Sequence, residues 1–312
     1  MQRIVIVTPA AAGARSGNRH TALRWASLLR GAGHRVRVAA EWHGEPCDTL
    51  VALHARRSHG SIARFARERP GKRLVVVLTG TDLYRDLPDS ADARQSLDLA
   101  DRVIVLQEAA LREIGAAIRR KARVVYQSAD PKLRHAPPDG RFGIAVIGHL
   151  RAEKDPMRTA LALQHLNAKR TEVVHLGAAL DPALGEEARG WMAREPRYRW
   201  HGSVTHSRAL AWLARSHVLV VSSVMEGGAN VIAEAARVGT PVIASRVSGN
   251  VGMLGRDYPG YFPLYDEKRL ARLLGRAASD RRFYRALKQK LVKRRRLFAP
   301  AAERKALIAA IR

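Results

Sequence analysis

The sequence predicts an α/β protein built on two doubly wound parallel sheets, and three observations carry that expectation. Short β-branched apolar runs, such as R-I-V-I-V at Arg3 to Val7 and V-L-V-V at Val218 to Val221, recur along the 312 residues and alternate with stretches of helical spacing. Runs that are apolar on both faces suit parallel strands covered by helices on either side. A polar, Pro-rich stretch from Asp130 to Arg141, D-P-K-L-R-H-A-P-P-D-G-R, divides the series into two halves of domain size. Residues 1–130 and 142–295 are the expected domains, with 131–141 as the linker and 296–312 as a terminal helix.

In the first half, the strand Arg3 to Val7 leads through a loop containing Gly13, Arg15, Gly17, Asn18 and Arg19 into a helix from about His20 to Arg30. Strands follow at Val36 to Ala40 and Thr49 to Leu53, the latter running into H-A-R-R-S-H-G-S and a helix from about Ser61 to Arg69. Leu74 to Leu78 ends at Thr79-Gly80-Thr81-Asp82. Val103 to Leu106 and Arg123 to Tyr126 complete the half, with a helix from about Gln107 to Arg119 between them.

The second half opens with the strand Phe142 to Ile147 and the loop G-H-L-R-A-E-K-D-P from Gly148 to Pro156, then a helix to about Lys169. Next come a strand at Val173 to Leu176, a helix at Pro182 to Arg194, a short strand at Tyr198 to His201 closing on Gly202, and a helix at Ser207 to Arg215. The strand Val218 to Val221, a Gly-rich turn, a helix at Asn230 to Val238 and the strand after Gly239-Thr240-Pro241 form a βαβ unit. Arg246 to Leu254 reads as a loop, and helices run from about Glu267 to the end.

Composition narrows the classes. Cys47 is the single cysteine, which excludes an intrachain disulfide and any multi-thiolate metal site. No apolar run approaches a membrane-spanning length, and the first residues read as a strand rather than a secretion signal, so a cytoplasmic protein with no integral membrane segment is expected. The 55 basic and 28 acidic residues leave a formal charge of +27, which favours an anionic partner without naming it. The densest basic run, Arg281 to Arg296, keeps Phe283, Tyr284, Leu287 and Leu291 at helical spacing, so it reads as a surface helix with a solvated face and not as a nucleic-acid site.

The chemistry concentrates in the βαβ unit. Glu226 sits at the tip of its turn and Glu234 eight residues on, placed to meet one polyhydroxylated ligand at two points. Gly227, Gly228 and Ala229, followed by Asn230, leave backbone N–H groups at a helix start open to a phosphate. A hydroxyl-rich group at each end with an anion between describes a nucleotide sugar. In open α/β sheets ligands collect at the carboxyl ends of strands, so the loops of Gly17-Asn18-Arg19, His54-Arg56-Arg57 and Thr79-Gly80-Thr81-Asp82 should share one rim. That rim, with Arg15 and the serines Ser58 and Ser61, suits a small, highly charged anion.

The pattern S-S-x-x-E-G-x-x-x-x-x-x-E-A-x-x-x-G-x-P-V closely resembles the donor site of retaining, glycogen-synthase-like GT-B glycosyltransferases. The resemblance implies two Rossmann-like domains facing a central cleft, with the last helix crossing back to the first domain. It implies that Glu226 binds sugar hydroxyls and Glu234 the ribose, and that Arg151 and Lys154, matching the family's R-x-x-K, stabilise the departing diphosphate without a metal. Gly202 and Val204 match where the family seats the base, and Asn250 stands in a loop near the donor phosphate that in relatives is followed by an acidic residue, absent here. Glu226, Arg151 and Lys154 are thus the catalytic candidates.

Across residues 1–265, N-R-H-T-A-L-R-W, A-L-H-A-R-R-S, V-V-L-T-G-T-D-L-Y-R-D, V-I-G-H-L-R, M-E-G-G-A-N-V and S-G-N-V-G-M-L-G-R-D-Y-P-G-Y-F-P look like the selenosugar synthases of selenoneine biosynthesis. That family implies transfer of glucose or N-acetylglucosamine from its UDP derivative to selenophosphate, and the sequence requires no cofactor beyond the UDP-sugar co-substrate. Selenophosphate fits the rim arginines. A selenium nucleophile is already ionised, so no general base is demanded, although Asp82 or His54 could orient it. A transferase acting on an oxygen acceptor in glycan or glycolipid assembly is the other enzyme the donor motif allows.

Overall fold

The computed structural model describes residues 1–9, 17–168 and 170–312, which divide into two compact units. The first comprises Met1–Ser128, Glu226–Asn230 and Pro300–Arg312; the second comprises Ala129–Met225 and Val231–Ala299. Gly13, Arg15 and Lys169 of the sequence reading lie outside the described residues.

In the first unit, β1 (Arg3–Val7), β2 (Arg35–Ala39), β3 (Thr49–Leu53), β4 (Arg73–Leu78), β5 (Arg102–Val105) and β6 (Ala122–Val124) pair in parallel in the order β2-β1-β3-β4-β5-β6. Alternation decides the two faces. Ile4, Ile6, Val51, Leu53 and Val77 turn to one side, where Trp25 and Leu29 cover them, while Val5, Val7, Leu50, Ala52 and Val76 turn to the other, against Ile62 and Phe65. The covering helices are α1 (Gly17–Arg30) and α2 (His59–Glu68); a π-helical turn at Asp82–Asp86 and the short α3 (Leu87–Asp89) lead to α4 (Ala91–Leu99).

Three departures from the sequence reading occur in this unit. The helix α4 was not anticipated: it buries only Ala93, Ser96 and Leu97, too narrow an apolar face to read as a period, although Ser90 caps it by accepting the Ala93 N–H. The stretch expected as one helix from Gln107 to Arg119 is a 3-10 turn at Glu108–Arg112 and then α5 (Ala116–Lys121), separated by Gly115 in an extended conformation. Helix α1 already includes Gly17, three residues before the expected His20.

In the second unit, β7 (Phe142–Ile147), β8 (Thr171–Leu176), β9 (Tyr198–Trp200), β10 (Val218–Val221), β11 (Val242–Ser245) and β12 (Tyr261–Phe262) form a parallel sheet ordered β12-β11-β10-β7-β8-β9. The strand order reverses between β7 and β10, which makes their carboxyl ends the switch point of this sheet. Its helices are α6 (Arg158–Leu163), α7 (Pro182–Arg194), α8 (His206–Arg215), α9 (Asn230–Val238), α10 (Ser248–Leu254), α11 (Glu267–Ser279) and α12 (Arg281–Arg294). Asp181 caps α7 by accepting the Ala183 N–H just ahead of Pro182. The expected loop Arg246 to Leu254 is largely helix α10, and α6 stops at Leu163. Residues of the polar stretch are stitched to this unit by His135 N–H to the Val238 carbonyl and Ala136 N–H to the Ala214 carbonyl. Among the described residues no helix is long and apolar enough to cross a membrane.

The final helix, α13 (Pro300–Ile311), belongs to the first unit, where Leu307 and Ile311 are fully buried beside Trp25. Each such side chain contributes about 2 kcal/mol through burial. Its anchor is polar. The Glu303 carboxylate, 1% exposed, accepts from Trp25 Nε1 at 2.7 Å, Arg24 Nε at 3.0 Å, Ser128 N at 2.9 Å and the Ser128 hydroxyl. Removing an acceptor shared by so many buried donors strands all of them, so Glu303→Ala should cost roughly 3 kcal/mol. A lowered urea midpoint is the expected result; an unchanged midpoint would show that α13 is held by its apolar face alone.

Candidate functional site

Three glycine contacts set the backbone of the candidate loops. A Cβ on Gly177, just past β8, would lie 2.0 Å from the Gly148 carbonyl oxygen just past β7. Only bare backbone fits there, so these two strand ends close on one another. The β7 loop is then fixed to β8 by Gly148 N–H to the Leu176 carbonyl, Leu150 N–H to the Ala178 carbonyl, and Ala178 N–H to His149 Nδ1. Gly202, at φ +65°, uses its carbonyl to accept the Gly177 N–H at 2.8 Å, tying the end of β9 to the same cluster.

On this platform the residues 151–155 form an extended Arg151, a 3-10 turn Ala152–Lys154, and Asp155 in the left-handed region at φ 44°. Strand β10 grips that turn from its own carboxyl end. The Ser222 hydroxyl donates to the Lys154 and Asp155 carbonyls at 3.0 and 2.8 Å, and Val224 N–H donates to the Glu153 carbonyl at 2.9 Å. Arg158 braces it from behind, bonded to the Asp155 carboxylate at 2.8 Å and to Glu267 at 2.5 Å. Arg151 is exposed and Lys154 half-buried, so two cations stand at the switch point of the second sheet.

Glu234 lies in α9, where His206 Nε2 donates to its Oε1 at 2.8 Å. The carboxylate raises the imidazole's pKa, partly opposed by desolvation. Sequence reasoning missed His206, because a T-H-S helix start with no recognisable partner nearby in the chain carries no signal. Asn250 is not placed as expected. It is fully buried in α10, and its Nδ2 donates to the Ser245 carbonyl and hydroxyl, each at 3.0 Å, so its amide locks the end of β11. Val204 packs with Trp212 against Val174, Leu176 and Ala209.

The segment Glu226–Asn230 packs with the first unit, whereas Glu234 lies in the second. Glu226 is 8% exposed and Ala229 buried. The glycines here have a packing reason: a Cβ on Gly227 would lie 2.5 Å from the Gly80 nitrogen, and one on Gly228 would lie 2.8 Å from Leu106 Cβ. Gly80 mirrors the first contact, its added Cβ falling 2.8 Å from the Gly227 nitrogen. Close backbone packing therefore demands Gly227, Gly228 and Gly80, whatever ligand the turn meets.

The expected rim of the first unit is corrected in four places. His54 adopts a left-handed φ of 77°, turning the chain so that the N–H groups of Ala55 and Arg56 face inward. Asp82, fully buried, accepts them at 2.8 and 3.4 Å. His54, 1% exposed, lies 3.2 Å from Asp82 and 3.4 Å from Asp86, and its Nδ1 accepts the Arg57 N–H. His54 and Asp82 thus build the turn rather than presenting themselves at a rim. The two serines do likewise, Ser58 donating to the Leu53 carbonyl and Ser61 accepting the Trp42 N–H. Arg56, Arg57 and Gly17 are exposed, Asn18, Arg19, Gly80 and Thr81 half-buried, and Thr79 buried.

The facing atoms of His54, Asp82 and Asp86 lie within 4.8 Å of one another, close enough for a metal ion. The donor set is already committed: backbone N–H groups bind Asp82, and the Arg56 and Arg85 guanidiniums lie 3.1 and 3.4 Å from Asp86. Two adjacent guanidiniums disfavour a further cation. Cys47 is buried, and desolvation pushes its thiol up to about 11, which suits packing and not nucleophilic attack.

Residues 141–280 match the family model described as Glycosyl transferases group 1. No curated protein matches the sequence. Among solved structures, HepE of Anabaena in complex with UDP-glucose has a TM-score of 0.79 at 15% identity over 99% of both chains. Sucrose-phosphate synthase of Thermosynechococcus elongatus has 0.78 at 18%, covering 99% of this chain and 98% of that one. The lipopolysaccharide outer core galactosyltransferase WaaB has 0.73 at 15% over 99% of both. At such identities the likeness establishes the fold: two parallel six-stranded sheets with their helices, the GT-B architecture.

The His206–Glu234 pair has a definite pH dependence. Because the folded-state pKa of His206 is raised, the pair's stabilisation is complete below the ordinary value of 6.5 and is lost as pH rises through the higher folded-state value. An NMR titration should place the His206 midpoint above that of a free imidazole, and Glu234→Gln should bring it down; equal midpoints in both proteins would remove the pairing.

Proposed function

We propose that this chain is a glycosyltransferase that moves a hexosyl group, N-acetylglucosamine or glucose, from its UDP derivative to selenophosphate. The observation that carries the donor half is the Arg151–Lys154 turn, fixed at the β7/β10 switch point by Ser222 and Val224 within the segment matching group 1 glycosyltransferases. Departing UDP gains negative charge as the C1–O bond breaks, and prepositioned cations favour that charge without reorganising. HepE, a structural neighbour, was solved with UDP-glucose, which supports UDP as the carrier. In this reading Glu226 binds sugar hydroxyls, Glu234 the ribose, and Gly202 the nucleoside end.

The acceptor half rests on the exposed Arg56 and Arg57, with Asn18 and Arg19 at the start of α1, and on motifs such as L-T-G-T-D-L-Y-R-D that resemble selenosugar synthases. An anion suits these guanidiniums better than a glycan does. The ionised selenium attacks C1, a C–Se bond forms, and the C1–O electron pair leaves on the diphosphate. No proton has to be removed, so the structural commitment of His54 and Asp82 costs the reaction nothing. Water then cleaves the P–Se bond, giving phosphate and the selenosugar.

The test is UDP release from UDP-N-acetylglucosamine and UDP-glucose, with and without selenophosphate, with mass spectrometry of the product for the selenium isotope pattern. Selenophosphate-dependent release with a seleniated hexose is expected, and Glu226→Gln should slow it roughly 100-fold. Release that ignores selenophosphate, or needs an oxygen acceptor, contradicts the proposal.

A further inference from the structure

A cavity of about 790 Å³ opens in the second unit, at the amino ends of β7 and β8. These are the opposite ends of the strands from the Arg151–Lys154 turn. Arg141 and Arg170 stand immediately before the two strands, and Arg281 and Arg285 come from the first turns of α12. Asp139 is the one carboxylate in the lining. Among the described residues, none of these four guanidiniums has a carboxylate within ion-pair distance.

One further feature separates this cavity from ordinary basic surface. His217, also in the lining, accepts the Gly143 N–H at Nδ1 at 3.0 Å, which leaves its ring proton on Nε2 as a donor. Its backbone is pinned by the Tyr284 hydroxyl, which donates to the His217 carbonyl at 2.9 Å. Asp280 caps α12 by accepting the Arg282 and Phe283 N–H groups at 2.9 and 3.0 Å, so an anion here meets the Arg281 and Arg285 side chains and not the helix end.

We infer that this cavity binds a phosphorylated small molecule carrying two or more phosphoryl charges, at a site separate from the proposed donor site. Guanidinium forks match phosphoryl oxygens in pairs, and His217 Nε2 supplies a neutral donor. The volume lies in the range of small-molecule sites and exceeds what a single phosphate fills. Two of the arginines belong to the basic run that the sequence presents as a solvated helix face; the fold brings them to Arg141 and Arg170, more than 100 residues away in the chain.

Inorganic pyrophosphate is the probe, titrated calorimetrically into the full chain and two double variants. Arg170→Gln with Arg281→Gln should weaken this binding by a factor of roughly ten while leaving the melting temperature near wild type. Arg151→Gln with Lys154→Gln should retain it. The inference is overturned if the Arg151→Gln, Lys154→Gln protein does not bind pyrophosphate, or if the Arg170→Gln, Arg281→Gln protein binds it as wild type does.

Discussion

A single buried carboxylate closes the first unit. Glu303 is 1% exposed, and Trp25, Arg24 and Ser128 converge on its carboxylate in place of solvent. Those partners come from α1 and from the residues after β6, so one side chain near the end of the chain holds both edges of the face that α1 and α13 cover. The alternating strands Arg3–Val7 and Thr49–Leu53 need that cover, because a parallel strand is apolar on both sides and stays out of water only between two layers of helix.

The second sheet shows how topology chooses a site. Reversal of strand order between β7 and β10 leaves their carboxyl ends without a covering crossover, and the chain fills the gap with loops. Their shape is not left to chance. Gly148 and Gly177 meet backbone to backbone, Ser222 holds the 151–155 turn by two carbonyls, and Arg158 ties it to Glu267. Arg151 and Lys154 are thereby carried on a turn whose hydrogen bonds are made within the chain itself. At the opposite strand ends a second group of arginines converges, drawn from three separate elements.

Much of this was legible in the residues. Arg3–Val7, Thr49–Leu53, Phe142–Ile147 and Val218–Val221 have the ends their apolar runs announced, and the helix Pro182–Arg194 has the expected bounds. Local signals of this kind are sufficient because strand and cap preferences act over a few residues. The helices Ala91–Leu99 and Ser248–Leu254 were not legible, since the first has a narrow apolar face and the second is helical across Ser-Gly-Asn with its polar Asn250 turned inward. The inward placement of His54 and Asp82 was equally hidden. It follows from a left-handed backbone at His54 and from N–H groups that only a carboxylate 27 residues on can satisfy, a relation that exists only after folding. His206 and Glu234 meet for the same reason, through the packing of α8 and α9.

A donor nucleotide held by the loops at the β7/β10 switch point, as proposed, is tested by calorimetric titration of UDP into the wild-type chain and into Arg151→Gln, Lys154→Gln and Glu234→Ala variants that keep the wild-type melting temperature. Specific binding to wild type, weakened by roughly tenfold or more in each variant, is the expected result. Wild-type affinity in all three variants would place the nucleotide elsewhere on the chain.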